Sequence, residues 1–140
     1  MATSVYLSNP VVTINSVDLT DQCTSAVVNY VYEQLETTAF GDTARKYGAS
    51  TVTSLQNNSI EVELYQSYAS AETEATIFGL VGITTDVVVA PASGTATATN
   101  PIYTLTGCYL SAHTPINASL GELSTITLTF TGGVLTKAVA

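Results

Sequence analysis

Two runs of this chain alternate apolar and polar side chains residue by residue: Ile60-Glu61-Val62-Glu63-Leu64, and Thr125-Ile126-Thr127-Leu128-Thr129-Phe130. Successive side chains of a β-strand point to opposite faces, so a period of two defines a strand with one buried and one solvated face. Wound into a helix, the same residues would scatter their carboxylates and hydroxyls around the whole circumference. The chain contains 24 threonines, and β-branched residues of this kind favour extended backbone. Only 10% of residues are charged against 46% hydrophobic, which argues for a packed core and against disorder. With 140 residues, one core of this size stabilises itself, so residues 1–140 are expected to form a single all-β domain.

The remaining pattern supplies about eight strands and one helix. Val11 to Leu19 predicts a short hairpin turning at Asn15-Ser16. Ser25 to Leu35 predicts a longer strand, with Ala26, Val28, Tyr30 and Tyr32 on one face and Val27, Asn29, Val31 and Glu33 on the other. Thr51 to Leu55 and Ile60 to Tyr65 predict a second hairpin across Gln56 to Ser59. Thr85 to Ala90, Ile102 to Ser111 and Ser124 to Thr131 complete the set, and the residues after Gly132-Gly133 form a tail or a short edge strand. Ser93 to Asn100 is low in complexity and reads as loop. The helix is expected at about 71–81, with Ser70 as N-cap, Glu72 and Glu74 in the first turn, and Ala71, Ala75, Phe78 and Val81 as its buried stripe. A lone helix beside so many strands most simply covers an open end of a β-sandwich or barrel.

Chemistry of the common enzymatic kinds has little to work with here. His113, the single histidine, sits in a turn-like Ser-Ala-His-Thr-Pro segment without a nucleophile signature around it, and is expected to be an ordinary loop histidine. Cys23, Cys108 and His113 lack the close ligand pair that seeds a zinc site, and the two cysteines read as small buried thiols rather than a bridge. Asp18 to Asp21 lacks the spacing and glycine of an EF-hand and reads as a turn. The pairs Glu61/Glu63 and Glu72/Glu74 read as solvated carboxylates, and the two Asn-X-Ser matches carry no weight without secretion. No phosphate-cradling glycine loop is present. The expectation is a non-enzyme without cofactor or metal. Eleven carboxylates against Arg45, Lys46 and Lys137 give a net charge of −8, which excludes a phosphate-binding surface of the usual basic kind. The N-terminal residues lack the pattern of a secretory leader, and no run is long enough to cross a bilayer, so the expected place of folding is a reducing cytoplasm without membrane contact.

Association is what remains. Lysine-poor, threonine-rich strands have few of the charges that block edge pairing. Glu36 to Gly48 is thirteen residues long between two expected strands, far more than a hairpin turn requires, and it holds two of the three basic side chains. Phe40 and Tyr47 could anchor it, while Glu36, Asp42, Arg45 and Lys46 could set a register by charge. From chemistry alone it reads equally as a docking arm or as a solvated surface loop.

The order of several short pieces resembles the small tail tube proteins of siphophages that infect actinobacteria. They are Val12 to Asp21, Glu36 to Asp42 with Arg45 following, Ser59 to Leu64 leading into Tyr68-Ala69, Asn100 to Tyr103, and Gly121 to Phe130 before Gly133. The resemblance implies a β-sandwich or barrel subunit with a flanking helix, assembled into hexameric rings that stack into a tube conducting phage DNA, within a virion tail built in the host cytoplasm. It implies partners of the same kind, the chain itself together with tape-measure and terminator proteins, with DNA passing unbound. It also implies that the 36–50 segment reaches the neighbouring ring, where Phe40 and Tyr47 anchor and Arg45 and Lys46 meet carboxylates of another subunit. Glu33, Glu61 and Glu63 are the candidates for a lumen-facing acidic set. The alternatives are a head decoration, tail terminator or connector protein, and, more distantly, a secreted adhesin.

Overall fold

A computed structural model describes residues 10–48 and 55–139. Its strands are β1 (Val11–Ile14), β2 (Val17–Asp18), β3 (Cys23–Asn29), β4 (Ser59–Tyr65), β5 (Thr84–Ala90), β6 (Ile102–Leu110), β7 (Thr125–Thr131) and β8 (Val134–Ala138). All pair antiparallel, in the order β2-β1-β5-β6-β7-β4-β3 with β8 beside β6. The fold is therefore the all-β one expected, and the choice between sandwich and barrel resolves in favour of an unclosed sheet whose end strands are β2 and β3. Asn15 and Ser16 both take positive φ, as the tight turn of the first hairpin demands.

The sheet bends because β7 and β8 are one continuous run with a kink in it. β8 pairs with the first half of β6, from Ile102↔Ala138 to Thr106↔Val134. β7 keeps only Tyr109↔Thr131 and Leu110↔Phe130 before turning away to pair along all of β4. The kink is Gly132-Gly133, both at φ near +80°, and a Cβ on Gly133 would lie 2.4 Å from the Thr106 carbonyl oxygen. Asn58 bolts this corner from beneath. Its amide group donates to the Gly133 carbonyl and to Gln56, its carbonyl oxygen accepts from the Val31 N–H, and its backbone oxygen accepts from Gly132. Full burial of this polar side chain is tolerable because its donors and acceptor are used.

Both halves turn their apolar faces to a single core, which includes Val12, Ile14, Val62, Leu105, Leu128 and Phe130. The alternation in β4 and β7 falls as the sequence requires, with Ile60, Val62, Leu64, Ile126, Leu128 and Phe130 all buried. Side chains of this kind contribute about 1.5–3 kcal/mol each on burial. In β6 the alternation slips by one between Leu105 and Cys108, both buried. A bulge explains the slip: Thr85 pairs with Cys108 and Val87 with Leu105, while Gly107, at φ +75°, donates its N–H to the Asp86 carboxylate.

Two expectations need correction. The helix is shorter than 71–81: α1 covers Thr73–Ile77, a 3-10 turn covers Phe78–Leu80, and Glu72, not Ser70, sits at the N-cap position. Ala71 takes φ +60°, which breaks any helix running through it. The buried stripe is Thr73, Ile77 and Leu80, whereas Phe78, Val81, Ala71 and Ala75 are not in the core. Thr73 wins its buried place through its hydroxyl, which donates to the Tyr65 carbonyl at 2.9 Å and also meets Gln22. Secondly, the strand expected at Ser25 to Leu35 is regular only over Cys23–Asn29, and beyond Asn29 isolated pairings such as Tyr32↔Gln56 carry it on into the arm. The strand expected at Thr51 to Leu55 lies outside the described residues except for Leu55.

The two cysteines are free thiols. Cys108 is buried with its Sγ 3.2 Å from the Thr85 carbonyl, and burial, aided by Asp86, pushes its pKa up to about 11. Burial also raises that of the half-buried Cys23. Because the thiolate is the nucleophile, a thiol reagent at pH 8 should modify Cys23 slowly and leave Cys108 untouched until the protein unfolds, when two thiols titrate. Rapid modification of both in the native protein would contradict this burial.

Candidate assembly interface

The segment from Glu36 to Gly48 is a closed arm and not a slack loop. The β3–β4 ladder continues past its formal end through Tyr32↔Gln56, with Asn57 N–H donating to the Val31 carbonyl and Glu33 N–H to that of Leu55. Glu36 then pairs with Tyr47, Thr37 N–H donates to the Lys46 carbonyl, and Gly48 N–H donates to that of Leu35. At the tip the Asp42 carboxylate accepts the Ala39 N–H at 2.7 Å and an ion pair from Lys46 at 2.8 Å. The Lys46 ammonium first, and the Ala39 N–H second, hold the Asp42 carboxyl below its ordinary value. Arg45 pairs with Glu36 across the arm.

Both basic side chains thus find carboxylates within the arm itself, although Arg45 remains 73% and Lys46 60% exposed and can take further partners. The aromatic groups are uncovered. Phe40 is as open as in an extended peptide, at 109%, and Tyr47 is exposed. At the base Tyr30 and Tyr32 form an exposed tilted pair with centroids 5.6 Å apart. Six of the expected site residues, Glu36, Phe40, Asp42, Arg45, Lys46 and Tyr47, are therefore gathered on one projection.

Glu61 and Glu63 share the outer face of β4, opposite Thr129 and Thr127 of β7 and opposite Val27 and Ser25 of β3. That face presents carboxylates, hydroxyls and the exposed Val27, with no lysine or arginine among the described residues of β3, β4 and β7, and Thr24 donates to the Glu63 carboxylate. Glu33 stands apart from it, on the arm beyond β3. Where the sheet fails to close, an apolar groove of about 880 Å³ opens between β3 and the strands across from it, lined by Ala26, Val28, Val12, Val89, Tyr103 and Leu135 among others.

One surface escaped the sequence reading. The connection from Ser111 to Ser124 exposes Ile116, Leu123 and Leu120, the last at 105%. A departure from alternation around Leu120-Gly121-Glu122-Leu123 was the only available signal. This loop is pinned to the body. Gln66 and Tyr68 donate to the Pro115 carbonyl at 2.7 and 2.8 Å, Asn117 donates to the Thr125 carbonyl, and Gln66 N–H donates to that of Ser124. His113 is another pin: its side chain is 2% exposed and its Nε2 lies 2.8 Å from Glu74. Glu74 is consequently a partly buried partner and not the solvated carboxylate expected, and Glu72 is bonded to Gln22. Among the described residues no three His, Cys, Asp or Glu side chains form a cluster suited to a metal, and Asp18 accepts from Thr20 as a turn residue does.

This architecture recurs in large assemblies. A chain from the virion of a native gene transfer agent particle superposes with a TM-score of 0.71 at 12% identity, covering 97% of this chain and 100% of that one. A chain from the sheath/tube terminator of an extracellular contractile injection system gives 0.68 at 11% identity, with 99% of each covered. One from the anti-feeding prophage cap, described as a tube-terminating cap, gives 0.68 at 12% identity over 100% and 94%. The fold is shared with subunits of virions and injection systems. No family model and no curated sequence matches the chain. At 10–12% identity the likeness is one of fold, and it extends over 97–100% of this chain.

Proposed function

We propose that this chain is a structural subunit of a phage-type tail, self-assembling into hexameric rings that stack as a tube through which DNA passes. The observation that carries this reading is the end-to-end fold match to a component of a gene transfer agent virion and to subunits of tube-bearing injection systems. A tail with C6 symmetry is among the matches. Several features of the chain itself agree with it. The two end strands, β2 and β3, have edges that are unpaired among the described residues and that a neighbouring copy could pair, in the heterologous manner that closes a ring. The outer face with Glu61 and Glu63 suits the lumen, and Glu33, on the arm beyond β3, would add its carboxylate only if the base of the arm also lines it. Six copies at −8 each bring −48 to a ring, and a like-charged wall lets DNA slide without adhering. The arm at 36–48 suits contact between rings, with tape-measure and terminator proteins as further partners.

The match to a sheath/tube terminator favours one second reading, a ring that ends a tube and does not propagate it. Electron microscopy of the purified protein at rising concentration separates the two. Tubes with a regular axial repeat are expected here. Isolated rings that never stack would transfer the assignment to a terminator, and a monomer at all concentrations would overturn both.

A further inference from the structure

We infer that the loop from Ser111 to Ser124 is the receptor for the arm of a second copy of this chain, with Ile116, Leu120 and Leu123 forming the seat for Phe40. The inference rests on the stacked-ring reading and assigns the contact that would propagate it.

The two surfaces lie at opposite ends of the same strands. The arm leaves the β3–β4–β7 part of the sheet where Asn29, Ser59 and Thr131 meet, whereas Ser124 rejoins it beside Tyr65 and Gln66. A seven-residue strand separates those ends by about 20 Å. Each end shows apolar side chains that this chain leaves open, Phe40 at one and Leu120 with Leu123 and Ile116 at the other. Unlike surfaces at opposite ends make a head-to-tail contact, which repeats along an axis instead of closing as a dimer.

Charge runs the same way. Two of the three basic residues are on the arm, each paired there with a carboxylate, Glu36 or Asp42, and no lysine or arginine lies in the 111–124 loop or in α1. The receiving end carries Glu122, Glu72 and Asp21. Arg45 gives one N–H to Glu36 and, being largely exposed, can offer the rest of its guanidinium to such a carboxylate. The loop is suited to receive because its backbone is already held by Gln66, Tyr68 and the His113–Glu74 pair, so docking orders little that is not ordered beforehand.

A photo-crosslinking phenylalanine analogue placed at Phe40 tests the contact in assembled wild-type-length particles. Crosslinks from position 40 to peptides of 111–124 in another copy are expected. Crosslinks to the apolar groove beside β3, to another arm, or to nothing would overturn the inference. In parallel, the double variant Leu120→Asp, Leu123→Asp should keep its melting profile, since both side chains are solvent-exposed, while mean tube length falls by roughly tenfold or more as charge enters the seat. If wild type and variant stack equally, the receptor is wrong and the tube reading stands. If wild type itself never stacks, the tube reading falls and takes the receptor with it.

Discussion

Alanine at Gly133 is expected to destabilise the fold by about 2–5 kcal/mol, from strain at a left-handed backbone together with overpacking. The new Cβ would lie 2.4 Å from the Thr106 carbonyl oxygen and 3.0 Å from the Cys108 nitrogen, and all of these are backbone atoms that cannot swing aside. Relief would have to come from opening the β6–β8 ladder at Thr106↔Val134 or from loosening the bond between Asn58 and the Gly133 carbonyl. Either movement disturbs the corner that lets β7 leave β6 for β4. Gly41 supplies the control, because it too has positive φ, +90°, but nothing lies within 4 Å of a Cβ there. Its alanine variant should cost only the backbone term, about 1 kcal/mol. Urea unfolding followed by far-UV circular dichroism measures both. Equal midpoint shifts for the two variants would show that the close approach at Gly133 does not matter. A domain of this size has about 5–15 kcal/mol in total, so the Gly133 variant could be largely unfolded at 37 °C.

The corner also marks where the sequence stopped being legible. Strand identity in β4 and β7 was readable because alternation is a local property, and every expected inward residue there is buried. Gly132-Gly133 could be recognised as a break, but not as a bend in one continuous run, since only the partner strand β6 tells a bend from a tail. The helix failed for a related reason. The expected stripe of Ala71, Ala75, Phe78 and Val81 follows the apolar residues, whereas the burial of Thr73 depends on a carbonyl at Tyr65 and on Gln22, distant in sequence. Likewise, nothing near His113 in sequence announces Glu74. The arm itself, as a projection carrying Phe40, Arg45 and Lys46, is legible through length and charge, while the 111–124 surface is hidden because exposed leucines in a loop look like any other loop residues until their burial is known.

Replacing Thr38 to Tyr47 by Asn-Gly should leave the domain folded and abolish tube assembly. The excised residues contribute nothing to the core cluster, and the flanking Thr37 and Gly48 are already neighbours, with the Thr37 hydroxyl donating to the Gly48 carbonyl at 3.0 Å. An Asn-Gly pair favours the tight turn that such a junction needs. The melting temperature should therefore stay within a few degrees of wild type, a shift corresponding to about 1 kcal/mol. Assembly is a different matter, because Phe40, Tyr47, Arg45 and Lys46 leave together, and a few aromatic and arginine anchors commonly carry most of an interface's energy. Truncating Phe40 alone to alanine should shorten tubes without eliminating them, since the charged pairs and Tyr47 persist. Lys46→Met should do less still, because Lys46 already satisfies Asp42 within its own arm. The order of severity, arm replacement before Phe40→Ala before Lys46→Met, is what electron microscopy and sedimentation would rank. Tubes of full length from the arm-replaced protein would remove the arm from stacking altogether, and would leave the outer edges of β2 and β3 as the surfaces that hold copies together.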